Sequence, residues 1–130
     1  MATFKKFEEI ESWKTARKLT KEIYKVSNKA PFSKDFSLRD QIRRAAISVM
    51  SNIAEGYDRS GTAEFIQFLA TAKGSAAEVR CQLYVAVDQG YIDNKQFDIL
   101  SNLATDTANL IGGLMSYLRR SGYRGAKYKV

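Results

Sequence analysis

Residues 37–56 read SLRDQIRRAAISVMSNIAEG, and their spacing decides the fold. Leu38, Ile42, Ala45, Val49 and Ile53 recur at steps of four and three, which places them on one face of an α-helix. A half-buried strand would need alternation with a period of two, and the stretch has none. Ser37, with Asp40 three residues on, suits an N-cap, and Gly56 beside Tyr57 suits a stop.

The same repeat extends in both directions. Upstream, Trp13, Ala16, Leu19, Ile23 and Val26 predict a helix from about Glu11 to Asn28, broken by the stretch 28–36 that holds the sole proline, Pro31. Downstream, Phe65, Phe68, Leu69, Ala72, Ala76, Val79, Leu83 and Ala86 predict a third helix from Thr62, closed by Gly90. A fourth starts near Asp93, with Gln96 as its capping partner, and runs through Phe97, Leu100, Leu103, Thr107, Leu110, Ile111, Leu114 and Leu118. Short links between the second, third and fourth segments imply antiparallel neighbours. The expected fold is all-α: an antiparallel up-down-up-down four-helix bundle over residues 1–120. Residues 121–130, rich in glycine and lysine without an apolar pattern, are expected to be a flexible basic tail.

Composition narrows the function. The chain has 130 residues, the size of one domain, with 45% hydrophobic and 27% charged residues. No apolar run approaches the ~20 residues of a membrane span. The first six residues hold no signal-peptide core, and the single cysteine, Cys81, makes no internal disulfide, so a reducing, cytoplasmic setting is expected. Cys81 lies mid-helix without a base and reads as a small core residue. Histidine is absent, which removes histidine-based triads, general bases and metal sites. Glu55 and Glu78 alone are a poor metal site, because Arg44 nearby repels a cation. No enzyme activity and no cofactor are expected.

The second and third helices carry polar stripes beside their apolar ones. Gln41, Arg44, Ser48, Asn52 and Glu55 recur at steps of three and four, turned about 100° from the apolar stripe. Glu64, Gln67, Thr71, Ser75, Glu78 and Gln82 do the same on the third helix. Antiparallel packing would let the stripes meet as a seam, with Arg44 paired to Glu78, and small residues such as Ser48, Gly74 and Ser75 suit the close approach. Two solvated faces, or a groove for a small ligand, are the alternatives. Ile47, Met50 and Ala54 form further apolar surface on the second helix, away from its core stripe, and suggest a subunit interface in a homo-oligomer.

The formal net charge is +7, which favours anionic partners. Lys14, Lys18, Lys21, Lys25 and Lys29 follow at three- and four-residue steps, a row about 22 Å long on one face of the first helix. Such a row can track a nucleic-acid backbone, although Glu11 and Glu22 beside it weaken the field. Arg43 is expected to project from the outer side of the second helix. After Asp106 no acidic residue occurs, while Arg119, Arg120, Arg124, Lys127 and Lys129 follow, interleaved with Tyr117, Tyr123 and Tyr128. Arginine at a helix C-terminus complements the helix dipole, and a basic segment with tyrosines can contact phosphates and bases.

The run from Gln41 to Val49, then Asn52-Ile53-Ala54-Glu55-Gly56, together with Trp13-Lys14, Ala16, Ile23-Tyr24, Glu64-Phe65, Gly74-Ser75 and Glu78, resembles the bacterial 23S ribosomal RNA intervening-sequence proteins. The resemblance spans about Phe7 to Leu118. It implies an antiparallel four-helix bundle that assembles into a ring, usually a pentamer, and a presumed affinity for nucleic acid. A distantly similar bundle is a basic accessory subunit of retroelement reverse transcriptases. A five-fold ring would carry a formal charge of five times +7, or +35. The function expected is therefore a non-enzymatic, basic, oligomeric protein that binds RNA or DNA through phosphates. The alternative is a protein–protein adaptor or an accessory subunit of a nucleic-acid enzyme.

Overall fold

The computed structural model describes residues 4–59 and 61–121. Four helices follow one another, α1 (Glu11–Ser27), α2 (Phe36–Asp58), α3 (Thr62–Asp88) and α4 (Asn94–Ser121), with single 3₁₀ turns at Phe7–Glu9 and Phe32–Lys34. The described residues contain no strand. Each helix packs on its chain neighbours and α1 closes against α4, while the diagonal pairs barely touch. No helix among the described residues is long and apolar enough to cross a membrane.

The interior divides into two layers along the bundle. Val49, Ile53, Phe65, Leu69, Ile111, Met115 and Leu118 fill the end that also holds Ile10. Leu19, Ile23, Phe32, Ile42, Val79, Leu83 and Leu100 fill the other. The expected stripes supply most of these side chains. Leu110 departs from its stripe: it stays 39% exposed, while Ala104 and Met115 of the same helix are buried. Cys81, expected in the core, is exposed, one position before the buried Gln82 and Leu83.

The helix ends follow local chemistry, with three differences from expectation. The N-cap of α2 is Asp35 and not Ser37: the Asp35 carboxylate accepts from the Leu38 amide at 3.1 Å, and the helix begins one residue before Ser37. Asp40 instead meets Arg39 at 3.0 Å. Gly56 does not stop α2, which runs on to Asp58. Its missing side chain lets α2 and α3 meet, because a Cβ there would lie 2.6 Å from Phe68 Cβ. Ser121, expected at the head of the tail, is the last residue of α4, and residues 122–130 lie outside the described residues.

The α3–α4 turn is built as its sequence suggests. Gly90 takes φ 76°, its amide donates to the Val87 carbonyl, and the Tyr91 amide reaches back to Ala86 at 2.9 Å. Asp93 and Gln96 then cap α4 reciprocally, at 2.7 and 2.9 Å.

Candidate nucleic-acid interface

On α1 the buried positions are Ser12, Ala16, Leu19, Ile23 and Ser27. Lys14, Lys18, Lys21 and Lys25 each lie two residues further on, about 200° around the helix axis, while Lys29, expected on the same face, follows the end of α1. Burial of the first set therefore turns the lysines outward, and all five are exposed. Lys14 approaches Glu11 at 3.9 Å and Lys25 approaches Glu22 at 3.8 Å, exposed pairs of little worth. Lys18, Lys21 and Lys29 form no ion pair among the described residues.

Beside the lysines lies an open groove of about 660 Å³ between α1 and α2, lined by Lys14, Arg17, Lys18, Thr20, Lys21 and Glu22, with Met50 opposite. Its Arg17, Thr20 and Met50 belong to two antiparallel ridges, Trp13, Arg17, Thr20 and Tyr24 on α1, and Arg43, Ile47, Met50 and Ala54 on α2. The two ridges run level with each other in opposite directions, Tyr24 beside Arg43 and Thr20 beside Ala46. The Arg43 guanidinium lies 4.4 Å from the Tyr24 ring centroid, and the Thr20 hydroxyl, bonded to the Ala16 carbonyl at 2.9 Å, reaches the Ala46 carbonyl at 3.2 Å. Arg17 sits 5.9 Å from the Trp13 ring at the other end.

Arg43 does not project outward as expected. Its Nε donates to Ser27 Oγ at 2.8 Å, so the antiparallel turn folds it back onto α1. A second cleft of about 260 Å³ opens there, lined by Tyr24, Asp40, Arg43, Arg44 and Ile47. Tyr24 is 39% exposed and Ile47 42% exposed. Met50 and Ala54 are half-buried, and Met50 packs on the core end that holds Trp13.

Among the described residues, the polar stripes of α2 and α3 bond to each other at their centre. Ser48 Oγ and Ser75 Oγ share a hydrogen bond of 2.9 Å, and the Asn52 amide donates to the Ser48 carbonyl and hydroxyl. Arg44 and Glu78 line one small cleft with Gln41 and Ser48, but the expected ion pair is absent among the described residues. Glu78 accepts from Gln82 at 3.3 Å along its own helix, Glu55 pairs with Arg59 at 2.8 Å, and Gln41 donates to Ser37. Arg44 and Glu78 are exposed, and water competes well for such charges. Gln82 Oε1 is buried without a hydrogen-bond partner among the described residues.

Arg119 and Arg120 are exposed on the last turn of α4, at the bundle end where Leu118 and Ile10 share a core. Arg124, Lys127 and Lys129 lie outside the described residues. Sequence reasoning missed Arg17 and Thr20 as groove residues. The four-three-four step through Trp13 and Tyr24 carried the signal.

The crystal structure of a protein with unknown function from the S23 ribosomal protein family of Bacteroides thetaiotaomicron VPI-5482 has a similar fold: TM-score 0.75 at 23% identity, covering 81% of this chain and 95% of that one. No curated protein matches the sequence. The model of the 23S rRNA-intervening sequence protein family matches residues 8–113, and the chain belongs to that family.

Proposed function

We propose that this chain is a non-enzymatic, cytoplasmic, basic protein that binds RNA or DNA through the phosphate backbone. The observation that carries the reading is the outward lysine row of α1 bordering a cationic groove, where Lys14, Arg17, Lys18 and Lys21 face one carboxylate, Glu22. Arg119 and Arg120, with Arg124, Lys127 and Lys129 after them in the sequence, add further positive charge. Arg43 contributes charge at the far end of the groove, held against Tyr24. Such binding is poorly sequence-specific.

Assembly into a homo-oligomer, a pentamer by family resemblance, belongs to this reading, since it would multiply the phosphate contacts. Charge reversal tests the whole. Lys18→Glu with Lys21→Glu should weaken binding to a labelled oligonucleotide and flatten the plot of log affinity against log salt, by about 0.7–0.9 for each phosphate that is no longer neutralised. Unchanged affinity and slope would remove this face from consideration.

A second reading, an adaptor for another protein, is favoured by one feature. Tyr84 and Val85 of α3 and Ile99 of α4 stay exposed, at 53, 43 and 54%. A partner protein that co-purifies after nuclease treatment would support it.

A further inference from the structure

The groove beside the lysine row differs from a plain charged face in its floor. Met50 lies opposite Arg17 and Thr20, Ile47 follows one turn back along α2, and Tyr24 closes the end with Arg43 held over its ring. Lysines, Arg17 and Met50 line the larger cleft, and Tyr24 and Ile47 line the neighbouring one with Asp40, Arg43 and Arg44, so cations and apolar or aromatic groups alternate along the α1–α2 face. A duplex presents phosphates to such a surface and keeps its bases stacked inside. A single strand presents phosphates and unstacked bases together, and bases stack on aromatic rings whatever their sequence.

We infer that the α1–α2 groove takes single-stranded nucleic acid, its backbone along Lys14, Lys18, Lys21 and Lys25 and its bases against Tyr24, Ile47 and Met50. The inference rests on the nucleic-acid reading above and adds to it a strand preference and a place for the bases. Glu22 approaches Lys25 and Asp40 pairs with Arg39, while Arg43 and Arg44 beside Tyr24 add positive charge at that end of the path.

Anisotropy titrations of the full chain with a labelled oligouridylate, the matching oligodeoxythymidylate and a duplex of equal length test this. The single strands should bind about tenfold more tightly than the duplex. Tyr24→Ala should weaken single-strand binding about tenfold, the scale of one base–aromatic stack, and leave the salt slope unchanged, while Tyr24→Phe should restore it. Ile47→Ser, on an exposed side chain, should weaken single-strand binding more than duplex binding. Equal affinity for duplex, or no effect of Tyr24→Ala on a chain whose helical circular dichroism is intact, overturns the inference. If Lys18→Glu with Lys21→Glu still weakens binding in that case, backbone recognition stands alone. If those two changes also do nothing, both readings fall.

Discussion

The Tyr91 hydroxyl donates to Asp35 Oδ2 at 2.9 Å, while the other oxygen of the same carboxylate caps α2 at Leu38. One side chain thus ties the α3–α4 turn to the start of α2, and Tyr91 also stacks on Phe32 at 5.2 Å between ring centroids. Asp35→Ala removes cap and anchor together and should cost about 1–2 kcal/mol, read from urea unfolding at neutral pH.

The same hydrogen bond sets an alkaline limit. The bond to Asp35, then desolvation, then the Asp35 charge raise the Tyr91 pKa above the ordinary tyrosine value. A raised pKa in the folded state means that the stabilisation is whole below the unfolded value of about 10 and is lost as pH climbs through the folded one. Stability should therefore decline above about pH 10, and the decline should be shallower in Tyr91→Phe. Parallel alkaline slopes in the two proteins would contradict this.

Two glycines should respond oppositely to alanine. At Gly56 the new Cβ would meet Phe68 Cβ at 2.6 Å and Phe65 Cδ1 at 3.1 Å, and a β-carbon cannot swing aside as a side-chain tip can. The overpacking cost of about 1–3 kcal/mol should exceed the ~1 kcal/mol that alanine gains in a helix. At Gly74 a new Cβ would have nothing within 4 Å among the described residues, so alanine should stabilise by about 0.5–1 kcal/mol. Destabilisation at Gly74 would place another subunit against that face.

The bond between Ser48 and Ser75 is the cross-helix link of the polar stripes, and it should behave as a coupled pair. Ser48→Ala strands the buried Ser75 hydroxyl and should cost about 1 kcal/mol, Ser75→Ala should cost less because Ser48 Oγ keeps its bond from the Asn52 amide, and the double change should cost less than the two together. Arg44→Ala and Glu78→Ala should each stay within about 0.5 kcal/mol, since neither charge is paired across the seam. A double-mutant cycle on thermal midpoints measures both statements.

These contrasts show what was legible in the residues. The apolar repeat determined four helices because burial must fill one face of each, and the Asp93–Gln96 cap and the Gly90 turn followed from local chemistry that needs no tertiary partner. Asp35 as the α2 cap was obscured because Ser37 fits the same local pattern. Arg43 and the Arg44–Glu78 pair failed for a related reason. Spacing gives the face a side chain leaves from, but Arg43 reaches across to Ser27 and Tyr24, and Glu78 lies along its own helix. The groove needed the α1–α2 register, which neither ridge carries alone.

Ile47 and Met50 were expected at a subunit interface and line the proposed strand-binding bed, and one surface cannot do both at once. Ile47→Asp decides between the uses. The side chain is 42% exposed, so the fold should persist with a stability change of about 0.5 kcal/mol or less. A carboxylate in the bed repels a polyanion, so single-strand affinity should fall, while the mass by light scattering should stay that of the unaltered chain. Assembly would then close through other apolar surface, such as Tyr84, Val85 and Ile99. A fall in mass to that of one chain would instead give this strip to a second copy and move the nucleic acid to the outer lysine edge.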